Sequence, residues 1–195
     1  MSLRLPLVLS ERDLPLPELI AARLDGEVFR VAGAFAPVDE IVNPAHRAHA
    51  ILDEAPARYI AEQHSAAWVW GAMAMPPRTH EFCVNIGARV TGSPARRHRV
   101  REVVIERCEI TVFGDVSVTT PLRTALDLAR FSDRFGADEA HATRELMRLA
   151  DFSLDDCLAE LNARRNLPNK RQAIQRLTHL VSADDAVRPR VQRPI

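Results

Sequence analysis

Residues 110–131 read ITVFGDVSVTTPLRTALDLARF, and no other stretch constrains the fold as tightly. Val116 and Val118 alternate with Asp115, Ser117 and Thr119, the period-two pattern of a half-buried strand. Gly114–Asp115 marks a tight turn, which makes 110–113 the partner strand of a hairpin. Thr120 then offers a capping hydroxyl, and Pro121 occupies the first helical position, where its missing N–H is no loss. Leu122, Ala125, Leu126 and Ala129 fall on one helical face, so Arg123, Asp127 and Arg130 are expected to turn away from the core. The stretch holds no nucleophile, metal set or phosphate loop. It is a scaffold signature.

The same residues carry a resemblance. A hairpin running into "V-T-[ST]-P-x-R-T-x-L-D-L-A-R" resembles the AbiEi family of type IV antitoxins, common in actinobacteria. HSAAWVWGA (64–72) is similar to that family's "S-x-x-S-A-A-x-L-H-G" helix, and THEFCVNIGARV (79–90) to its "x-V-H-L-x-V-P-x-x-x-R" strand. An Arg cluster after that strand is also a family habit, and the likeness spans roughly residues 58–181. Such proteins usually open with a winged-helix domain ending in "R-V-x-R-G-x-Y". Here FRVAGAFAP (29–37) lacks the middle Arg and has Phe35 in place of Tyr. The resemblance implies a DNA-binding antitoxin, or a regulator derived from one, that opposes a nucleotidyltransferase-like toxin.

A chain of 195 residues, 47% hydrophobic and 27% charged, is long enough to bury a real core. MSLRLPLVLS is too short and wrongly flanked for a signal peptide, and no later run would span a bilayer, so a cytoplasmic location is expected. Cys83, Cys108 and Cys157 are widely spaced and without a CxxC, which predicts three buried thiols. His46 and His49 lie one turn apart, but no second pair stands at ligand spacing, and no metal or cofactor is expected. The zero formal charge conceals alternating blocks. Residues 1–57 hold five basic and nine acidic side chains, 58–107 eight and four, 108–163 five and eleven, and 164–195 eight and two. Lys170 is the only lysine, a usage that reflects a GC-rich genome as much as selection for the guanidinium fork.

Along the chain, LPLPELIAARL (14–24) predicts a short helix with Leu19, Ile20 and Leu24 apolar, closed by Gly26. EVFRV and AFAPV flank Ala32–Gly33 as a two-stranded hairpin. Helix plus hairpin is what remains of a winged helix-turn-helix. With only Arg23 on the helix against Glu18, Asp25 and Glu27, a vestigial wing packed on the main domain is the favoured reading over sequence-specific DNA binding. Asn43–Pro44 starts a helix to about Glu54, Tyr59–Glu62 predicts a short strand, and Ser65 is expected to cap a helix ended by Gly71. Trp68 and Trp70 cannot share one face, so at least one packs on another element. Strands are expected at 81–86, 102–107, 109–113 and 116–118. Helices follow 120–131: one over 137–150 with Ala140, Leu146, Met147 and Leu149 inward, one capped by Ser153, and one from Pro168. The division expected is a reduced winged-helix-like unit (1–57), an α+β core domain with a small mixed sheet flanked by helices (58–181), and a mobile tail (182–195).

Candidate chemistry is electrostatic. SPARRHRVRE (93–102) places Arg96, Arg97, Arg99 and Arg101 in six residues, either to meet phosphate or an acidic partner, or as a solvated basic hairpin tip. These four are the first candidates for nucleic-acid contact, with Arg23 and Arg30 as lesser ones in the wing. Arg164, Arg165, Lys170, Arg171 and Arg176 make a second basic site, and both lining one face would make a better DNA surface than the wing. Asp127, Asp133, Asp138, Glu139 and Glu145 are expected on helix exteriors, unpaired with a nucleophile, and no GxSxG, Walker A or HExxH occurs, so no enzyme is expected. Similar proteins often continue into a short-patch-repair-like endonuclease domain, and with Ile195 as the last residue no nuclease is expected here. The function expected is an AbiEi-like antitoxin and transcriptional regulator, the alternative being a non-enzymatic interaction or scaffold protein that kept the fold and lost DNA binding.

Overall fold

A computed structural model describes residues 6–52, 58–87 and 98–187. The fold is α+β, as the sequence predicts: a five-stranded mixed sheet and a separate two-stranded hairpin, flanked by helices. Helix α1 (Leu16–Leu24) leads into the hairpin β1 (Val28–Val31) and β2 (Ala34–Pro37), with Ala32 at φ 53° in its turn. Gly26, at φ 78°, ends α1 in the left-handed conformation that glycine adopts without penalty. The hairpin docks inward. Val31, Ala34 and Ala36 share one apolar cluster with Trp68, Phe82, Val84 and Val118 of the main sheet and its helices.

Helix α2 (Pro44–Leu52) is capped by the Asn43 side chain, which accepts from the backbone N–H of Ala45 at 2.9 Å and of His46 at 3.3 Å. The central strand β3 (Ile60–Ala61) runs without a loop into α3 (Gln63–Trp70). Gln63 takes φ 47° to make that turn, a conformation seldom seen outside glycine. Ser65 therefore lies inside the helix rather than capping it. Its hydroxyl instead accepts from the Glu81 N–H at 2.9 Å and fixes α3 to strand β4 (His80–Asn85). Both tryptophans pack: Trp68 is buried in the main cluster, and Trp70 donates Nε1–H to the Thr119 carbonyl at 2.8 Å while its edge meets Phe113.

Sheet order is β5-β4-β3-β7-β6, with β5 at His98–Val103, β6 at Ile110–Phe113 and β7 at Val116–Thr119. The hairpin and Thr-Pro helix start at 110–131 form as expected, the turn using Gly114 at φ 64° and Thr120 accepting from the Arg123 N–H. The strand expected at 102–107 lies four residues earlier, and Arg107–Glu109 is a 3₁₀ turn. Strands β4 and β5 pair in parallel, His80 against His98 and Asn85 against Val103. A parallel pair excludes a hairpin between them and requires a crossover of about a dozen residues. The described part of the Arg-rich segment, from His98 on, is therefore not a hairpin tip: it is edge strand β5, which carries Arg99 and Arg101.

Helix α4 (Pro121–Phe131) is the hub of the helical layer. Ala125 and Leu128 pack with Ala67 of α3 and with Ala142 and Leu146 of α5 (Ala137–Leu149). Leu126 and Ala129 pack with Cys157 and Leu161 of α6 (Leu154–Ala163), and with Ala173 and Leu177 of α7 (Lys170–Val187). A fully buried leucine such as Leu128 contributes about 1.5–3 kcal/mol by leaving water. Ser153 caps α6 as expected, accepting from the Asp156 N–H. Three inward assignments do not hold: Leu149, Ile20 and Leu24 are exposed, because α5 and α1 are each covered on a narrower face than their pattern permits. Cys108 is exposed on the 3₁₀ turn, while Cys83 and Cys157 are buried. Helix α7 continues to Val187, past the start expected for the tail, and 188–195 lie outside the described residues.

Candidate nucleic-acid interface and the charge network behind it

The expectation for Arg123, Asp127 and Arg130 is overturned. Their stripe of α4 does face away from the apolar contacts, but it meets protein instead of water, leaving Asp127 fully buried and both arginines 5% exposed. Asp127 Oδ2 accepts from Arg123 Nε at 2.9 Å and from Arg101 Nη2 at 3.0 Å, while Oδ1 accepts from Arg130 Nη1 at 3.0 Å. Arg101 reaches it from β5 and also grips Glu62, the residue after β3, in a bidentate pair at 2.6 and 2.7 Å. On the other side, Arg123 and Arg164 both donate to Glu109 Oε1, at 2.8 and 2.7 Å. Arg164 then bonds Glu160 one turn back on α6.

Four guanidinium groups and four carboxylates thus form one alternating chain through the domain. Burial would lower the Arg123 pKa, but the charge of Asp127 and the bond to Glu109 outweigh it and hold it above the ordinary range. Arg101 is raised in the same way, burial being outweighed by the Glu62 bond and the Asp127 charge. For Glu62, burial wins over Arg101 and lifts the carboxyl above its usual value. Arg130 is the exception. Burial, with Arg123, Arg101 and Arg164 beside it, pulls it down to about 10 against the pull of Asp127. Arg101 and Arg130 also stack on Phe131, their guanidinium carbons 3.8 and 4.4 Å from the ring centroid.

The residues proposed for nucleic-acid contact separate accordingly. Arg99 is two-thirds exposed on β5, with Glu81 at 3.8 Å. Arg101, two residues on, is the network's link between sheet and α4. Arg96 and Arg97 lie outside the described residues. Arg23 is exposed on α1, and Arg30 is exposed on β1 with its Nε donating to the Ala32 carbonyl at 2.9 Å. The second basic site approaches the first. Arg101 and Arg164 line one cavity of about 520 Å³ together with the 166–168 loop, and that loop also borders Arg165, Lys170 and Arg171.

Nothing local in the sequence marks Glu62, Glu109 or Arg164 as members of this network. The Arg123–Asp127–Arg130 spacing, with opposite charges at i+4 and i+3 on one stripe, was the local signal; the distant members left none. A second polar junction also went unseen. His64, in the first turn of α3, bridges Glu81 Oε2 at 2.8 Å and Glu139 Oε1 at 3.1 Å, tying β4 and α5 together. The bond to Glu81 is the main reason its pKa is raised, burial opposing it, and the bond to Glu139 adds to the rise.

No helix among the described residues is long and apolar enough to cross a membrane. No curated protein matches the chain. Among solved structures, the RV2827C protein from Mycobacterium tuberculosis is similar over 91% of this chain and 72% of that one, at 18% identity and a TM-score of 0.49. A model of the AbiEi antitoxin C-terminal domain matches residues 59–183, well over half of the chain and all of the unit built on the sheet, α4 and the charge network, and the chain belongs to that antitoxin family.

Proposed function

We propose that this protein is the antitoxin of a toxin–antitoxin pair, that it opposes a nucleotidyltransferase-like toxin, and that it regulates transcription by binding DNA through its core domain. Membership of the AbiEi antitoxin family is the observation that carries the reading. DNA contact is supported by the way the basic segments converge: Arg99 lies on the β5 edge, and Arg165, Lys170 and Arg171 lie beyond the 166–168 loop. Arg96, Arg97 and Arg99 are the phosphate-contacting candidates, Arg101 their anchor to the fold, and Arg23 and Arg30 secondary contacts.

A second reading keeps the fold without DNA binding. It is favoured by α1, where Leu16, Ile20 and Leu24 recur at four-residue spacing and are 42%, 43% and 81% exposed. An apolar stripe of that kind suits a protein partner better than a phosphate backbone. Fluorescence anisotropy with the DNA upstream of the protein's own gene, at two salt concentrations, separates the readings. The regulator binds that DNA in preference to a scrambled duplex, and replacing Arg96, Arg97 and Arg99 by Ala lowers the salt slope by about 1 for each phosphate that is no longer neutralised. Sequence-blind binding that disappears at physiological salt would leave the interaction protein as the better description.

A further inference from the structure

Arg101 on β5, Arg123 and Arg130 on α4 and Arg164 at the α6 terminus all line the same cavity of about 520 Å³. Their carboxylate partners Glu62, Asp127, Glu109 and Glu160 do not line it. Each guanidinium spends its Nε and one terminal nitrogen on partners inside the protein. The other terminal nitrogen, Nη1 of Arg101 and Arg164 and Nη2 of Arg123 and Arg130, has no hydrogen-bond partner among the described residues. None of these four nitrogens is among the buried atoms left without a partner, and all four side chains border the cavity.

Such a wall is pre-organised. The carboxylates hold the guanidinium planes, and Arg130 is further fixed by donating Nε–H to the Pro168 carbonyl at 3.0 Å. The entropy of ordering four long side chains is therefore spent in folding and not in binding. Besides these arginines the lining includes Val103, Val104, Phe131, Leu167 and Pro168, an apolar surface with one exposed carboxylate, Glu102. Open guanidinium nitrogens call for an acceptor with several oxygens, and the apolar remainder calls for a flat or greasy body attached to it.

We propose that this cavity binds a phosphate-bearing small molecule with an apolar or aromatic body, of the size and chemistry of a nucleotide. A phosphate group supplies three acceptor oxygens and up to two negative charges, matched to planar arginine forks. A carboxylate has only two oxygens and is already the counter-ion used within the network. The volume lies in the range of sites that enclose small ligands. Arg130 is lowered first by burial and then by Arg123, Arg101 and Arg164 beside it, and an entering anion relieves that crowding. The proposal does not depend on DNA binding, since the site is internal to the family domain.

Isothermal titration of the full chain with AMP, GTP, adenosine and inorganic phosphate tests it. AMP and GTP are expected to bind one per chain, with adenosine and inorganic phosphate each weaker by about tenfold or more, since each lacks half of the recognised chemistry. Val104 lines the cavity and is 70% exposed, so Val104→Glu places a negative charge at the site without disturbing the core. It is expected to weaken AMP by about tenfold or more while Val104→Gln changes it little, both with wild-type circular dichroism and melting. Absence of saturable binding by both nucleotides overturns the proposal, as does equal affinity for AMP and adenosine. So does binding that Val104→Glu leaves unchanged, or displacement of AMP by a duplex without terminal phosphates, which would make the cavity part of a DNA contact.

Discussion

The N-terminal unit and the domain around α4 use arginine in opposite ways. Arg23 and Arg30 stand on the surface of a helix and hairpin whose own apolar cluster is small, built on Leu19, Val28 and Phe35. Arg101, Arg123 and Arg130 are drawn into the protein, where three of their donors converge on one carboxylate, Asp127. At the surface a guanidinium is solvated and screened, contributes little to stability and remains available to a partner. Inside, it must be matched, and its removal exposes the charges it balanced. The same residue type is thus left exposed in one region and serves as a structural bracket in the other.

The sharpest way to break that contrast is Asp127→Ala. Asp127 is fully buried and receives bonds from β5 and from two positions on its own helix, so its loss takes a counter-charge from three guanidinium groups at once. The expected destabilisation is about 3–5 kcal/mol by urea denaturation, the range for an interior ion pair that loses one partner. A value under about 1 kcal/mol would mean that water enters and solvates the arginines, and the network would then be surface chemistry in a recess.

A second comparison is between this network and the His64 junction, which is charged only over part of the pH range. His64 is raised in the folded protein, so its contribution is complete below its unfolded value of about 6.5 and is lost as pH rises through the folded value. Glu81 is lowered because His64 and Arg99 outweigh burial, and Glu139 because the Gly136 N–H and His64 do so. Their contributions are present above about 4.3 and are lost as pH falls through their folded values. The junction is therefore strongest between those limits. The stability difference between wild type and His64→Ala should be largest near pH 5–6 and shrink toward pH 9, as followed by thermal melts across that range. A difference that grows with pH would place the proton elsewhere.

Legibility followed the reach of each signal. Thr120, Pro121 and the alternating valines act within a few residues of themselves, and the hairpin and α4 start appear where local chemistry puts them. The amphipathic pattern of α4 was also sound, since its apolar and charged residues do occupy different faces. What it could not contain was the identity of the neighbour beyond the charged face. That neighbour is assembled by topology: the parallel β4–β5 pair brings Arg101 over Asp127, and the β3–α3 junction brings Glu62 beside it. The parallel pairing was itself hidden, because edge strand β5 carries Arg and Glu where a buried parallel strand would be uniformly apolar. Among the proposed contact residues, Arg99 and Arg101 are two apart on one strand and look equivalent in sequence, yet Arg101 hydrogen-bonds Glu62 and Asp127 while Arg99 stands 3.8 Å from Glu81 and stays two-thirds exposed.

The smallest expected effect sharpens the comparison from the other side. Arg23→Ala combined with Arg30→Ala removes two cations from the N-terminal unit. Arg23 lies in the last turn of α1 and Arg30 bonds its own turn at Ala32, so among the described residues neither is seen to hold one element to another. The double variant is expected to lie within about 0.5 kcal/mol of wild type in urea denaturation, as surface substitutions do. Toward DNA, Glu18, Asp25 and Glu27 surround Arg23 with opposing charge. The change in salt slope should therefore be smaller than that from Arg96, Arg97 and Arg99 in the core domain, measured with the same duplex. If the double variant instead weakened binding more than the triple one, the wing would be the DNA-reading element. The core arginines, exposed and interior alike, would then serve the fold and its ligand.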